Sequence, residues 1–378
     1  MSGPAELPCM LMRGGTSKGA YFLAADLPPD RAAREDLLLR TMGSPDPRQI
    51  DGLGGAHPLT SKVAVVSASA DPAADVDYLF LQVGVEDGEV SDRQNCGNLL
   101  AGVGPFAVER GLVAPGDDRT SVRIRMLNSG DLATATFPTP GGRVSYAGDT
   151  RISGVPGSAA AVVIEFPQGA GPLLPTGRPL DTVADTPVTC VDNGMPTVLV
   201  AAASLGVSGY ESPGELEGDE ELVERVQEIR RQAGELMGLG DVSQTTVPKV
   251  SLLAPPVAGG AVTTRTFIPR RCHTSIGVLG AAGVAAGLRL ADGVARRIAP
   301  QPAPGEPLRI EHPTGFLEVS VDMADGPDGA PAVARTALVR TARKIFDGTV
   351  FPRPLPQPGP HPAPAPSPEG GTDDSAPR

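Results

Sequence analysis

The sequence predicts an α+β chain of two pseudo-symmetric domains, each a set of antiparallel strands wrapped around a central helix. Three observations carry this. Short strand-like segments follow one another with few helices between them, which favours antiparallel sheets over regular β–α alternation. Two stretches, Leu99–Glu109 and Ile276–Leu290, are apolar nearly all round, as helices enclosed by protein are. Each is led by a cysteine among polar residues, Asn95-Cys96-Gly97-Asn98 and Arg271-Cys272-His273-Thr274-Ser275, so one cleft between two related halves is expected.

Along the first half, Lys62–Ser69, Val76–Val85, Ser121–Leu127, Leu132–Phe137 and Ala161–Phe166 read as strands. Val122, Ile124 and Met126 alternate with Arg123 and Arg125, the period of a half-buried strand. Val188–Val191, Val198–Ala202, Val250–Leu253, Ala261–Phe267, Leu308–His312, Phe316–Val321 and Arg335–Ala342 read likewise in the second. Asp30 is placed to cap a helix over Arg31–Thr41 that Gly43 stops. Asp219 is placed to cap Glu220–Met237, whose Leu222, Val226, Ile229, Ala233 and Leu236 form one apolar stripe. Pro105 should kink the first enclosed helix. The domains are expected to be 1–182 and 183–351, with the last strands able to return to the first domain. From 352 to 378 the chain is mostly Pro, Ala, Gly and Ser, a composition that buries too little to order itself.

The 378 residues suffice for two cores, and with 47 Gly, 41 Pro and only 3% aromatics, turns and small-residue packing must do much of the shaping. A net charge of −12 argues against nucleic acid and against a membrane surface as partners. No apolar run approaches the roughly 18 residues of a membrane span, and Met1–Leu11 lacks a basic stretch followed by an apolar one. Four cysteines in a chain this long do not make a disulfide framework, so a cytoplasmic protein with reduced thiols is expected. A homodimer is compatible with this composition.

Four groups of residues could carry chemistry. Arg13, Thr16, Ser17 and Lys18 lie in a Gly-rich segment whose backbone and cations could cradle an anion, without the spacing of a P-loop. Ser61 and Lys62 open an apolar strand, and a lysine turned into a closed cleft would lose its ordinary basicity and serve as a general base. Cys96 and Cys272 precede helices, the setting that favours a thiolate; Cys9 and Cys190 read as packing. Lys249, Arg265 and the Arg270–Ser275 segment add cations suited to carboxylates. No spacing suggests a metal site, and no G-x-S-x-G elbow suggests a serine hydrolase. A thiol-based redox or binding protein is the alternative of another class.

Several stretches, among them Met12–Phe22, Leu59–Val66, Gln94–Val113, Val191–Val200 and Thr264–Gly280, resemble the PrpF family of isomerases, which has the diaminopimelate epimerase-like fold. Within it the branch acting on 4-oxalomesaconate is the most similar. The resemblance implies a cofactor-independent isomerase, without metal, that moves a proton in a small di- or tricarboxylate. It implies Lys62 and Cys96 as the acid–base pair, with Cys272 where epimerase relatives carry a second catalytic cysteine. It implies Ser17, Asn95, Gly97, Asn98 and the Arg270–Ser275 loop, with Arg271, His273, Thr274 and Ser275, around the substrate carboxylates; Arg13, Thr16, Lys18, Ser61, Lys249 and Arg265 join them as substrate-binding candidates from the residues themselves. The reaction implied is keto–enol tautomerisation of 4-oxalomesaconate in aromatic catabolism, with cis–trans isomerisation of 2-methylaconitate or trans-aconitate as the rival.

Overall fold

The structure, a computed structural model, describes residues 6–355 apart from 94, 168–170, 244, 304 and 327–328. The first half runs β1 (Leu7–Gly14), β2 (Ser17–Leu23), α1 (Arg31–Met42), β3 (Lys62–Ala68), β4 (Val76–Val83), β5 (Val90–Ser91), α2 (Gly97–Glu109), β6 (Arg119–Met126), β7 (Leu132–Pro138) and β8 (Ala161–Phe166). The second runs β9 (Asp181–Val183), β10 (Thr186–Asp192), β11 (Pro196–Ala201), α3 (Pro213–Gly218), α4 (Glu220–Leu236), β12 (Lys249–Ala254) and β13 (Val262–Phe267). It ends with α5 (Val278–Arg289), α6 (Val294–Ile298), β14 (Leu308–His312), β15 (Gly315–Asp325) and β16 (Pro331–Val350).

Strands of the first half close a ring in the order β1-β2-β3-β4-β6-β7-β8-β16, with β16 returning to β1. Its interior is α2: Leu99, Leu100, Val103 and Phe106 pack against Met10, Met12, Tyr21, Tyr78, Phe137 and Ile164. The same β16 continues into the second half, where β15-β14-β13-β12-β11-β10 follow in order. There Ala281, Val284, Ala285 and Leu288 of α5 meet Leu199, Ile310, Val319 and Leu338. The outer helices cover the other side of each sheet, Leu37 and Leu38 of α1 on Phe22, Val63 and Val65, and Val226 and Ile229 of α4 on Val188, Val198 and Val250.

The sheet is mixed, which corrects the expectation of purely antiparallel strands. β2–β3, β4–β6, β11–β12 and β13–β14 are parallel. Parallel neighbours need a crossover, and α1, α2, α4 and α5 supply them in turn. The pairing sequence antiparallel, parallel, antiparallel, parallel, antiparallel, antiparallel runs from β1 to β8 and repeats from β10 to β16. Lys249, opening β12, therefore occupies the position in its half that Lys62 has opening β3.

Local signals set the outer helices where expected. Asp30 Oδ2 accepts from the Ala33 N–H at 2.8 Å and Gly43 ends α1 at φ +80°. Asp219 Oδ1 accepts from the Leu222 N–H at 3.0 Å at the start of α4, whose stripe is buried from Leu222 to Ala233 but not at Leu236, which is exposed. The Gly-rich segment Met12–Gly19 forms the paired strand ends and the turn of the β1–β2 hairpin. One other expectation needs correcting. Chain order continues past 352: the Arg40 guanidinium donates to Arg353 O at 2.7 Å and Arg353 to Ser44 O at 3.1 Å, tying this segment to α1. The rest of the Pro-rich tail, from 356, lies outside the described residues.

Candidate active site

Alternation along β3 turns Lys62, Ala64 and Val66 towards α2, and Val63 and Val65 towards α1. Lys62 is thus carried inward at the end of the ring where α2 begins. Its Nζ donates to Gln82 Oε1 at 2.5 Å and lies 4.9 Å from the centre of the Phe80 ring. Burial lowers the Lys62 pKa, and the neighbouring Cys96 opposes the shift. No carboxylate pairs with this amine among the described residues.

Cys96 is the N-cap of α2 and is buried. Two wall tyrosines fasten the helix's first turn: Tyr78 Oη donates to Cys96 O at 3.2 Å, and Tyr21 Oη to Leu99 O at 2.6 Å. The hairpin tip closes over the same turn. Asn98 Nδ2 donates to Thr16 Oγ1 at 3.0 Å and reaches Ser17 Oγ at 3.5 Å. Gly15, at φ +49°, is required there, since a β-carbon would lie 2.3 Å from Asn98 Oδ1. Asn95 Nδ2 is bound to Ser129 Oγ, while its Oδ1 is buried without a partner among the described residues, an acceptor left for a donor that arrives. A β-carbon on Gly97 would come within 2.9 Å of Val278 Cγ2, so the first turns of α2 and α5 meet. Two helix N-termini converging beside a buried amine make a site suited to an anion with an acidic C–H.

The second half contributes Lys249, His273 and Ser275. The Ser275 N–H donates to His273 Nδ1 at 2.9 Å, and Ser275 Oγ lies 3.2 Å from His312 Nε2. Burial lowers the Lys249 pKa, with Arg230 adding to it, and lowers the His273 pKa, with Lys249 adding to it. Thr274 is exposed, its carbonyl held by Thr314 Oγ1 at 2.9 Å. Ser153 and Gly154 join the halves, Ser153 Oγ accepting from the Phe316 N–H at 3.1 Å while Gly154 packs on Thr16. The sequence reading missed Gln82, His312 and Arg340. Arg340 carries a legible signal: Thr336, Leu338, Arg340 and Ala342 are one buried face of β16, with a charge in an otherwise uncharged phase. Its Nε has no partner among the described residues, and burial pushes its pKa down to about 10.

His312 has a measurable consequence. Burial lowers its pKa from 6.5 to about 4, so between these values the unfolded chain binds the proton and the folded one resists it. Stability is then expected to fall as pH falls through that window. His312→Asn should flatten this part of a melting-temperature profile; identical profiles for the two proteins would remove His312 from the acid response.

Several expected site residues lie elsewhere. Cys272 is five residues before the α5 N-cap, Gly277, pairs with Phe267, and belongs to the core beneath α4. Burial pushes its pKa up to about 11, against the opposing Arg265, so it is a packed thiol rather than a helix-activated one. Ser61 donates to Val83 O at 2.8 Å and accepts from Gln49 Nε2 at 2.7 Å, which occupies its hydroxyl structurally. The Arg265 guanidinium is spent on the carbonyls of Glu211, Tyr210 and Thr264 at 2.6, 2.9 and 2.9 Å. Arg271 is exposed. Arg13 and Lys18 are register partners on the outer face of the first ring, away from α2. Cys9 and Cys190 are buried, with pKa values pushed up to about 12 by burial.

Comparison with known proteins decides the family. The family model for the PrpF protein matches residues 5–353. The chain belongs to the PrpF family. It is 55% identical over 349 residues to the (4E)-oxalomesaconate Delta-isomerase of Novosphingobium sp. (strain KA1), covering 91% of this chain and 97% of that one. It is 54% identical over 353 residues to the 4-oxalomesaconate tautomerase of Pseudomonas putida, covering 92% and 96%. This PrpF chain is therefore an isomerase. Among solved structures, methylitaconate-delta-isomerase superposes with a TM-score of 0.81 at 32% identity over 93% of this chain and 97% of that one. A hydroxyproline epimerase superposes with a TM-score of 0.54 at 17% identity, covering 93% and 94%, a likeness of fold alone. Among the described residues no helix is long and apolar enough to cross a membrane, and no cluster of three or more His, Cys, Asp or Glu could hold a metal ion.

Proposed function

We propose that this PrpF isomerase interconverts tautomers of 4-oxalomesaconate, moving a proton with Lys62 and Cys96 as its acid–base pair. The observation that carries the reading is the buried Lys62 amine beside Cys96 at the N-terminus of α2, its pKa lowered by burial. Neutral Lys62 takes a proton from the CH2 between the oxo group and the C=C bond, and the C–H electron pair moves into a new C=C bond as the oxo oxygen gains charge. The N-terminal N–H groups of α2 and α5 lie where that charge develops and supply the main stabilisation. Cys96 gives a proton to the far end of the conjugated system and is restored by the one held on Lys62. Ser17, Gly97 and Asn98 hold one carboxylate end, with the free Asn95 Oδ1 open to a donor such as an enol hydroxyl, and Lys249, His273 and Ser275 hold the other.

Both central side chains are buried, so substrate entry requires the halves to part along the Gly97–Val278 contact. The repeated strand pairing supports the finer reading of the fold as diaminopimelate epimerase-like, with two pseudo-symmetric domains divided near 182 and β16 shared between them. The thiol-redox alternative loses ground because Cys96 and Cys272 sit in different cores. The test is a spectrophotometric panel in which 4-oxalomesaconate, 2-methylaconitate and trans-aconitate are each mixed with the purified protein. Loss of the starting chromophore with the first supports the assignment; silence there with turnover of either other acid overturns the substrate and leaves the reaction class.

A further inference from the structure

Three cations stand abreast on the outside of the first ring. Lys18 on β2 is the register partner of Arg13 on β1, and Arg13 is the partner of Arg343 on β16. Directly opposed residues share a face, and like charges so placed repel one another. None of the three has a carboxylate within ion-pairing distance among the described residues. Elsewhere on the same ring arginines are paired: Arg110 with Asp347 at 2.6 Å, Arg123 with Asp75 at 2.6 Å and Arg125 with Asp77 at 2.8 Å. In a chain of net charge −12, an unneutralised row of cations is not a by-product of composition.

A cavity of about 320 Å³ opens beside Arg13 and Arg343, lined also by Lys344, Tyr146, Thr150 and Ser158; Lys18 is not in its lining, and no Asp or Glu lines it. Lys344 also pairs with Glu109, which stands outside the lining. Arg13 is held ready: its Nη1 donates to Gly15 O at 2.8 Å, Thr341 O at 3.0 Å and Thr341 Oγ1 at 2.9 Å. Its Nε and Nη2 have no partner among the described residues and remain for a ligand. Burial, and then Arg343, lower the Arg13 pKa, so the charge is kept here at a cost. Lys62 and Cys96 do not line this cavity. Lys344 and Tyr146 of the lining both bond to Glu109, the last residue of α2, whereas Cys96 caps the first turn of that helix.

We propose that this cavity is a second anion site, distinct from the Lys62–Cys96 site, that takes a small organic polyanion by its carboxylate or phosphate groups. Guanidinium forks match both groups, and the volume suits a small organic acid rather than a single ion.

The test titrates the full-length protein calorimetrically with tricarballylate, a tricarboxylate without a double bond to isomerise, and separately with inorganic phosphate. The wild type should bind tricarballylate at one class of sites more than Arg343→Glu does. Phosphate affinity should drop at least about tenfold in Arg343→Glu and be largely kept in Arg343→Lys. The stronger of the two probes in the wild type identifies the headgroup. Isomerase kcat and KM of Arg343→Glu in anion-free buffer should stay within about twofold of wild type. The proposal falls if neither probe binds the wild type, if Arg343→Glu binds both as tightly, or if its KM rises in step with lost binding. The last result would make the cavity part of the substrate site. None of these outcomes depends on Lys62 being the base.

Discussion

Replacing Lys62 by alanine lowers turnover of 4-oxalomesaconate by at least about a hundredfold, the worth of a placed general base, while the circular dichroism spectrum and melting temperature stay close to wild type. The fold should survive because the amine is a cost to it. Lys62 is buried and its pKa is lowered by that burial, so removing it relieves a desolvated group. Lys62→Arg should be no better than alanine, since a guanidinium stays protonated and cannot accept the proton. The sign of the pH dependence follows. A base must be neutral, and Lys62 becomes neutral at lower pH than an ordinary lysine of pKa 10.5. In the wild type kcat/KM should therefore rise with pH through the lowered Lys62 value and level off above it, and that limb should vanish in both variants. A Lys62→Ala enzyme with near-normal rate would take the lysine out of the mechanism.

What the sequence made legible was what local chemistry determines. The caps Asp30 and Asp219, the stop at Gly43 and the stripe of α4 each act within a few residues, and the helices begin where those signals stand. The enclosed helices were legible because an all-round apolar surface has few other homes. Parallel pairing was not legible. β2 and β3 join across the whole of α1, and β13 and β14 across α5 and α6, and no short-range pattern records which strand lies beside which. The β1–β2 hairpin hid behind its own tip, where glycines and cations look like an anion loop until the register sets Arg13 opposite Lys18 on the outside. β16 read as Arg335–Ala342 yet runs from Pro331 to Val350, because the irregularity opposite Leu11 and Met12 breaks the alternation.

The site shows the same division. Lys62 and Cys96, the pair proposed to move the proton, stand out in the sequence because each stands at a boundary, one opening an apolar strand and one preceding an enclosed helix. Cys272 was misjudged by the same rule: His273 and Ser275 form a turn of their own, and α5 starts only after Gly277. The repeat of strand pairing thus yields unlike halves. Lys249 matches Lys62 in position, but the thiol near it is packed beneath α4 and cannot mirror Cys96. One acid–base pair, rather than two facing thiols, is what a proton shift along a conjugated acid needs.

Cys96→Ser gives the second large effect and separates chemistry from stability. Cys96 caps α2 with no side-chain hydrogen bond to the helix, whereas serine is among the best residues at that position. The hydroxyl can accept from the free N–H groups of the first turn, so the melting temperature should hold or rise. Activity should fall by about a hundredfold or more, because a serine hydroxyl is a far weaker acid than a thiol at neutral pH. The two residues should also fail differently in deuterated water. With Lys62 intact, Cys96→Ser can still take the proton and return a deuteron to the same carbon, so substrate label should accumulate without isomerised product. Lys62→Ala should show neither label nor product. Equal loss of exchange and isomerisation in both variants would show that the thiol acts in the first proton transfer as well, and the division of roles between amine and thiol would have to be redrawn.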